Sequence, residues 1–262
     1  MLMKKTFLLT TILVSVLSLT SLHAQPKSRG GGMFGGAPGA QFGGAMNKIF
    51  GNHKFFSADL QTEMVDGAGK SELSVPAKMV FLEGKSRLEL DISQAKGSSI
   101  KPEMAAQLQM MGMSEMTAIS RPDKKLSYLV YPGPKSYAEM TMTEAEAGTD
   151  DSKMKVDVKA DGSETVDGHD CLRNKVTVTD ADGKVRAFTV WNAKDLKKFP
   201  VKIETNEGGR ATKMLFKAVK FDKPDAARFE APKDYERYTD IQAMMQGAMM
   251  KKFGGGAGAP PK

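Results

Sequence analysis

From Phe55 onward, apolar and polar residues alternate in short runs broken by turn-forming residues. Phe56, Ala58, Leu60, Thr62 and Met64 alternate with mostly polar neighbours, and Asp66-Gly67-Ala68-Gly69 closes the run, which predicts a strand and a turn. Ala77 to Leu82 is a compact apolar run turned by Glu83-Gly84-Lys85, after which Leu88, Leu90 and Ile92 alternate with charged residues. The same punctuation predicts strands at Met116 to Ser120, Leu126 to Tyr131 and Tyr137 to Met142, separated by Pro122-Asp123-Lys124-Lys125 and Pro132-Gly133-Pro134. Beyond the acidic Glu144–Asp151 loop come Met154 to Lys159, Cys171 to Thr179, Val185 to Trp191, Val201 to Thr205 and Thr212 to Phe221. Asp182-Gly183 and Gly208-Gly209 serve as short hairpin connectors.

Helical spacing occurs in two places. Pro102 to Met113 opens with a proline, tolerated in a first turn, and holds good helix formers. Asp240 to Phe253 sets Ile241, Met244, Met245, Ala248 and Met249 on one stripe. No strand-helix-strand alternation is present, which argues against a parallel sheet. The fold class expected is mainly β (α+β): a curved antiparallel half-barrel sheet of about ten or eleven strands, with one inserted helix and a C-terminal helix. The stripe of the terminal helix needs cover, and Gly247 weakens its middle by ~1 kcal/mol relative to Ala. A membrane or partner is therefore expected to receive that helix in preference to the domain.

Outside this segment the composition changes. Residues 30–45 read GGGMFGGAPGAQFGGA and residues 254–262 read GGGAGAPPK, stretches whose side chains cannot offset the entropy of ordering. The organisation expected is a signal peptide at 1–24, a Gly-rich flexible linker at 25–54, the β domain at 55–238, a Met-rich amphipathic helix at 239–253 and a disordered tail at 254–262. Phe34 and Phe42 are read as incidental aromatics of the spacer. The signal has Lys4 and Lys5 ahead of an apolar stretch from Phe7 to Leu19, with Ala24 before the cut. That stretch is interrupted by Thr10, Thr11, Ser15 and Ser18 and is shorter than the ~20 apolar residues of a membrane span. Gln25 stands where a lipid-anchored protein carries cysteine, so the mature protein is expected to be periplasmic or secreted and not lipid-anchored.

Composition narrows the chemistry. The 262 residues include 38 Lys+Arg against 31 Asp+Glu, and loss of the leader lowers the formal charge from +7 to +5. The basic residues are scattered over separate turns, with a single tryptophan, which excludes a nucleic-acid surface. One cysteine, Cys171, excludes an intramolecular disulfide framework and any multi-cysteine metal cluster. Of three histidines, His23 falls in the leader, and neither His53 nor His169 sits in a nucleophile motif. No enzyme, cofactor or metal site is expected. Asp167, His169 and Cys171 have the spacing of one strand face, but Gly168 reads as a turn that breaks it.

The phrases GHDCLRNKVTVTDADGKVRAFTVWNAKDLKKFPVKIE (168–204) and KKLSYLVYPGPKSYAEM (124–140) resemble the secreted domain-of-unknown-function 4412 family, over about Phe55 to Tyr235. Members of that family are similar to the lipoprotein-localisation carrier (LolA-like) fold. The shared pattern is a turn glycine before a lone cysteine, a strand, a short turn, then a strand ending in Val-Trp followed by Asp-Leu and Phe-Pro. The resemblance implies an unclosed half-barrel wrapped around helices, with an apolar hollow that holds acyl chains in the carrier. It implies no known activity.

Nineteen methionines leave three functional readings open. The first is an exported soluble binding or carrier protein with an apolar cavity for a lipid-like ligand, lined by Leu108, Met110, Met111, Met113 and Trp191, since methionine forms adaptable apolar surfaces. The second is a Met-rich copper(I)-binding envelope protein, because thioethers suit that soft ion. The third is a structural envelope protein that binds a partner by an unpaired sheet edge. The partners expected are a lipid or other apolar ligand, an envelope protein or a membrane surface.

Overall fold

The computed structural model describes residues 44–99, 101–148, 154–179, 183–207 and 209–253. The expected signal peptide, most of the expected linker with Phe34 and Phe42, and the C-terminal tail lie outside the described residues.

Among the described residues twelve strands form one sheet. They are β1 (Phe55–Val65), β2 (Ser71–Leu82), β3 (Lys85–Asp91), β4 (Glu115–Arg121), β5 (Leu126–Tyr131), β6 (Ser136–Thr141), β7 (Lys155–Val166), β8 (His169–Thr179), β9 (Val185–Ala193), β10 (Phe199–Glu207), β11 (Arg210–Lys220) and β12 (Glu236–Tyr238). Two antiparallel meanders, β1 to β6 and β7 to β11, are joined where β1 pairs with β11, giving the order β12-β6-β5-β4-β3-β2-β1-β11-β10-β9-β8-β7. The expectation of an antiparallel sheet with ten or eleven strands misses β12, which pairs parallel with β6. Three residues are too few to show a period. The Glu236 N–H donates to the Lys135 carbonyl at 2.9 Å and starts this pairing.

Local chemistry sets the hairpins. Asp66 accepts the Ala68 and Lys70 N–H groups through one carboxylate oxygen and folds the β1–β2 turn. Glu83-Gly84 and Asp167-Gly168 both run through positive φ at both residues, the two-residue geometry that matches strand twist. Curvature follows from connectivity. The β6 and β7 strands stand ten positions apart, which would be about 48 Å along a flat sheet. The chain between them has only residues 142–154, four of them in the helix α3 (Glu144–Ala147), a reach of at most about 45 Å. The sheet therefore bends so that its two ends approach.

Other helices lie on the inner face. The helix α1 spans Gly44–Phe50, α2 spans Pro102–Met110 and α4 spans Ile241–Phe253. The first of these corrects the expected linker: Met46, Ile49 and Phe50, at i, i+3 and i+4, are all buried. Docking of that apolar stripe, absent from the preceding glycine run, places residues 44–50 in the domain. Docking of α4 on a membrane or partner is also corrected, because Met244 and Ala248 are buried in the domain core and the helix lies against β6 and β12. Gly247 permits the approach: a Cβ there would stand 2.3 Å from the Tyr238 hydroxyl. Lys251, in the last turn of α4, pairs with Glu236 of β12. On the outer face, Phe229 is wholly buried over Val80, Ile119, Tyr128 and Val130. Its strap is tied down by Arg121, which donates to Asp123 at 2.8 Å and also pairs with Glu230.

Candidate functional site

Two apolar basins occupy the inner face. The first is built from β1, β2, β8, β9, β10 and β11 and is filled by α1. The ring of Phe50 sits among rings from four strands: Phe56 at 4.8 Å, Phe81 at 5.2 Å, Phe216 at 5.8 Å and Phe199 at 6.1 Å between centroids. Only a sheet curved around α1 brings four strands so close to one ring. Burial of a phenylalanine side chain contributes about 1.5–3 kcal/mol, and a seven-residue helix is marginal without such packing.

His53 closes the end of this basin. Its ring stacks on Phe221 at 5.3 Å and meets Phe199 edge-on at 5.2 Å, while the His53 backbone N–H donates to the Phe50 carbonyl at 3.1 Å. Burial pulls the imidazole pKa down, and the Lys197 charge adds to this against an opposing hydrogen bond with the Lys197 backbone.

The second basin lies over β2 to β6. Leu73, Val75, Leu90, Met116, Leu129 and Tyr131 form its floor, and Met111, Met113, Met244 and Ala248 cover it. Burial pushes the Tyr131 phenol up to about 12. Half-buried Ala77 and Leu88 touch both basins and mark the seam between them.

The five expected lining residues divide between these places. Leu108, Met111 and Met113 meet in the second basin, whereas the Met110 side chain is 53% exposed. Trp191 belongs to the first basin, where its indole N–H donates to Glu164 at 2.9 Å and the Lys202 ammonium stands 4.1 Å over the ring. Sequence reading missed Phe50 and the α1 stripe, which the spacing of Met46, Ile49 and Phe50 would have revealed. Asp167 lies in the β7–β8 turn and pairs with Lys217, His169 pairs with Asp195 at 2.7 Å, and Cys171 is buried with its thiol pKa raised by desolvation. These three residues do not converge, and among the described residues no group of three His, Cys, Asp or Glu side chains is placed to hold a metal.

Openings among the described residues reach solvent. One, of about 340 Å³, lies between α1, the Glu83-Gly84 turn and α3, beside Asn47 and His53. Another, of about 640 Å³, runs over Asp59, Lys78, Arg87, Glu89 and Thr117. Register places Asp59, Lys78, Glu89 and Thr117 in one polar row across four strands, on the outer face. No helix of the described residues is long and apolar enough to cross a membrane.

No curated protein matches the chain. Among solved structures, the lipoprotein LppX of Mycobacterium tuberculosis is similar at 11% identity, with 69% of this chain and 91% of that one covered and a TM-score of 0.37. A LolA-superfamily protein of Nitrosomonas europaea gives 9% identity, 74% and 97% coverage and a TM-score of 0.36. A putative outer membrane lipoprotein-sorting protein domain of Vibrio parahaemolyticus gives 12%, 73% and 97%, with a TM-score of 0.34. A match to a family model covers β2 from Ser74 through the first residue of β10. The family that the strand-and-turn phrases resemble is the one whose model matches: the domain of unknown function DUF4412, over residues 74–199.

Proposed function

We propose that the protein is an exported binding or carrier protein that takes an apolar, lipid-like chain on the inner face of its sheet, in the space now held by α1. The observation that carries this reading is the aromatic basin around Phe50, where four strands build an apolar surface and a short helix at the edge of the domain occupies it. A seven-residue helix holding three buried side chains is a modest competitor for an acyl chain of many methylenes, each contributing about 0.8 kcal/mol on burial. Leu108, Met111 and Met113, at the neighbouring basin, are the residues proposed to receive the distal part of a longer ligand, with Trp191 framing the first. Export rests on the leader anatomy of residues 1–24.

The copper reading requires Met110, Met111 and Met113 to face one ion, whereas Met110 is largely exposed and Met113 is wholly buried. Native mass spectrometry of the exported chain tests the proposal. A co-purifying fatty acid or lipid that is lost on organic extraction is the expected result. Absence of any apolar species, with no uptake of added fatty acid, would contradict it.

A further inference from the structure

The two ends of the sheet differ. At one end β12 is three residues long and has α4 beside it. At the other, β7 runs for twelve residues, pairs among the described residues only with β8 and is exposed along nearly its whole length. Its regular part reads Lys155-Val156-Asp157-Val158-Lys159-Ala160, before the register shift between Ala160 and Ser163, inside which Asp161 pairs with Arg173 and Lys175 of its own hairpin. Alternation puts the charges on one face and the apolar residues on the other. Val156 and Val158 are 42% and 57% exposed, on the side of Val178 and Val176, their buried partners in the first basin.

The charge order is self-complementary. In an antiparallel pair of two β7 strands with the twofold axis at Val158, Asp157 of each copy faces Lys159 of the other. An axis at Asp157 or at Lys159 would set like charges face to face, and such pairs are unfavourable. Lys155, Asp157 and Lys159 form no ion pair among the described residues, and Lys159 stands opposite Lys175 in its own hairpin. A strand guarded only against association carries charges of one sign or an inward-pointing charge. The alternating signs here suit a second copy of this chain: an axis at Val156 also opposes Lys155 to Asp157 but runs off the start of β7, whereas the Val158 axis keeps the regular part of the strand paired.

We infer that β7 is a homodimer edge, pairing antiparallel with β7 of a second copy about Val158 and extending the inner apolar face through Val156 and Val158. One strand pair buries little area, so the dimer is weak and salt-sensitive. Sedimentation equilibrium of the chain from roughly 1 µM to 1 mM tests it. The expected result is a concentration-dependent dimer, weakened about tenfold or more by Asp157→Lys or by Lys159→Asp and restored when both are combined. All three variants lie on an exposed strand, and their circular dichroism serves as the folding control. A wild-type monomer across the whole range overturns the inference. So does a dimer indifferent to the single reversals, or one that the double reversal fails to restore.

Discussion

The ring of Phe50, from a helix beyond the matched family segment, lies 4.8 Å from the ring of Phe56 in β1. The two rings share a basin but differ in what their loss does. Phe56 belongs to a strand paired on both sides, so Phe56→Ala is expected to cost about 3–5 kcal/mol of global stability. Phe50→Ala loses at most the docking free energy of α1, because the helix can leave while the sheet persists. Urea unfolding should therefore show a clearly smaller loss for Phe50→Ala, and equal losses would show that α1 is an inseparable part of the fold.

His53 gives this docking a pH dependence. Its folded-state pKa is lowered from 6.5 by burial, so the unfolded or undocked state binds the proton more readily. Stability is fully present above pH 6.5 and is lost as pH falls from there through the folded-state value. Thermal melts between pH 7.5 and 5 should show this loss in the wild type and a flatter profile in His53→Gln. Identical slopes would remove His53 from the account.

Gly247 and Tyr238 act as one contact. Alanine at position 247 would favour the helix by ~1 kcal/mol on propensity alone. Its Cβ would fall 2.3 Å from the Tyr238 oxygen and 2.7 Å from the ring carbon bearing it, and such overpacking costs about 1–3 kcal/mol. Gly247→Ala is expected to lower the melting temperature by a few degrees in the wild type. In a Tyr238→Ala background the same change is expected to be neutral or stabilising, and a melt of the four variants reads the coupling directly.

The methionines separate in the same way. Met113 is wholly buried and Met110 is 53% exposed. Met113→Ala should cost about 2–5 kcal/mol, and Met110→Ala should stay within about 0.5 kcal/mol. Chemical denaturation of the two variants checks this.

Hairpins were legible because their signals are local. Glu83-Gly84 and the turn at Gly168 could be read from adjacent residues, and the alternation from Phe56 to Leu60 gave the buried face of β1. The joining of two meanders through β1 and β11 could not, because Leu60 and Phe216 are brought together by distant pairing with no local signature. The helix α1 was obscured by the glycines before it, although its stripe of Met46, Ile49 and Phe50 was present. For the expected site, Met110 and Met111 look equivalent along the chain, and only the end of α2 at Met110 separates an exposed side chain from a buried one. The reason for Gly247 lies in Tyr238, which reaches it through the fold.

Titration with a fluorescent fatty-acid probe, comparing wild type with Phe50→Ala, tests most directly whether α1 holds a ligand's place. A ligand that must displace α1 binds with an affinity reduced by the docked fraction, and weakening the dock removes that reduction. The expected result is saturable one-to-one binding, tighter by about tenfold or more in Phe50→Ala than in wild type. Equal affinity for both proteins, or no binding to either, would contradict the reading of the aromatic basin as a ligand site held by its own helix.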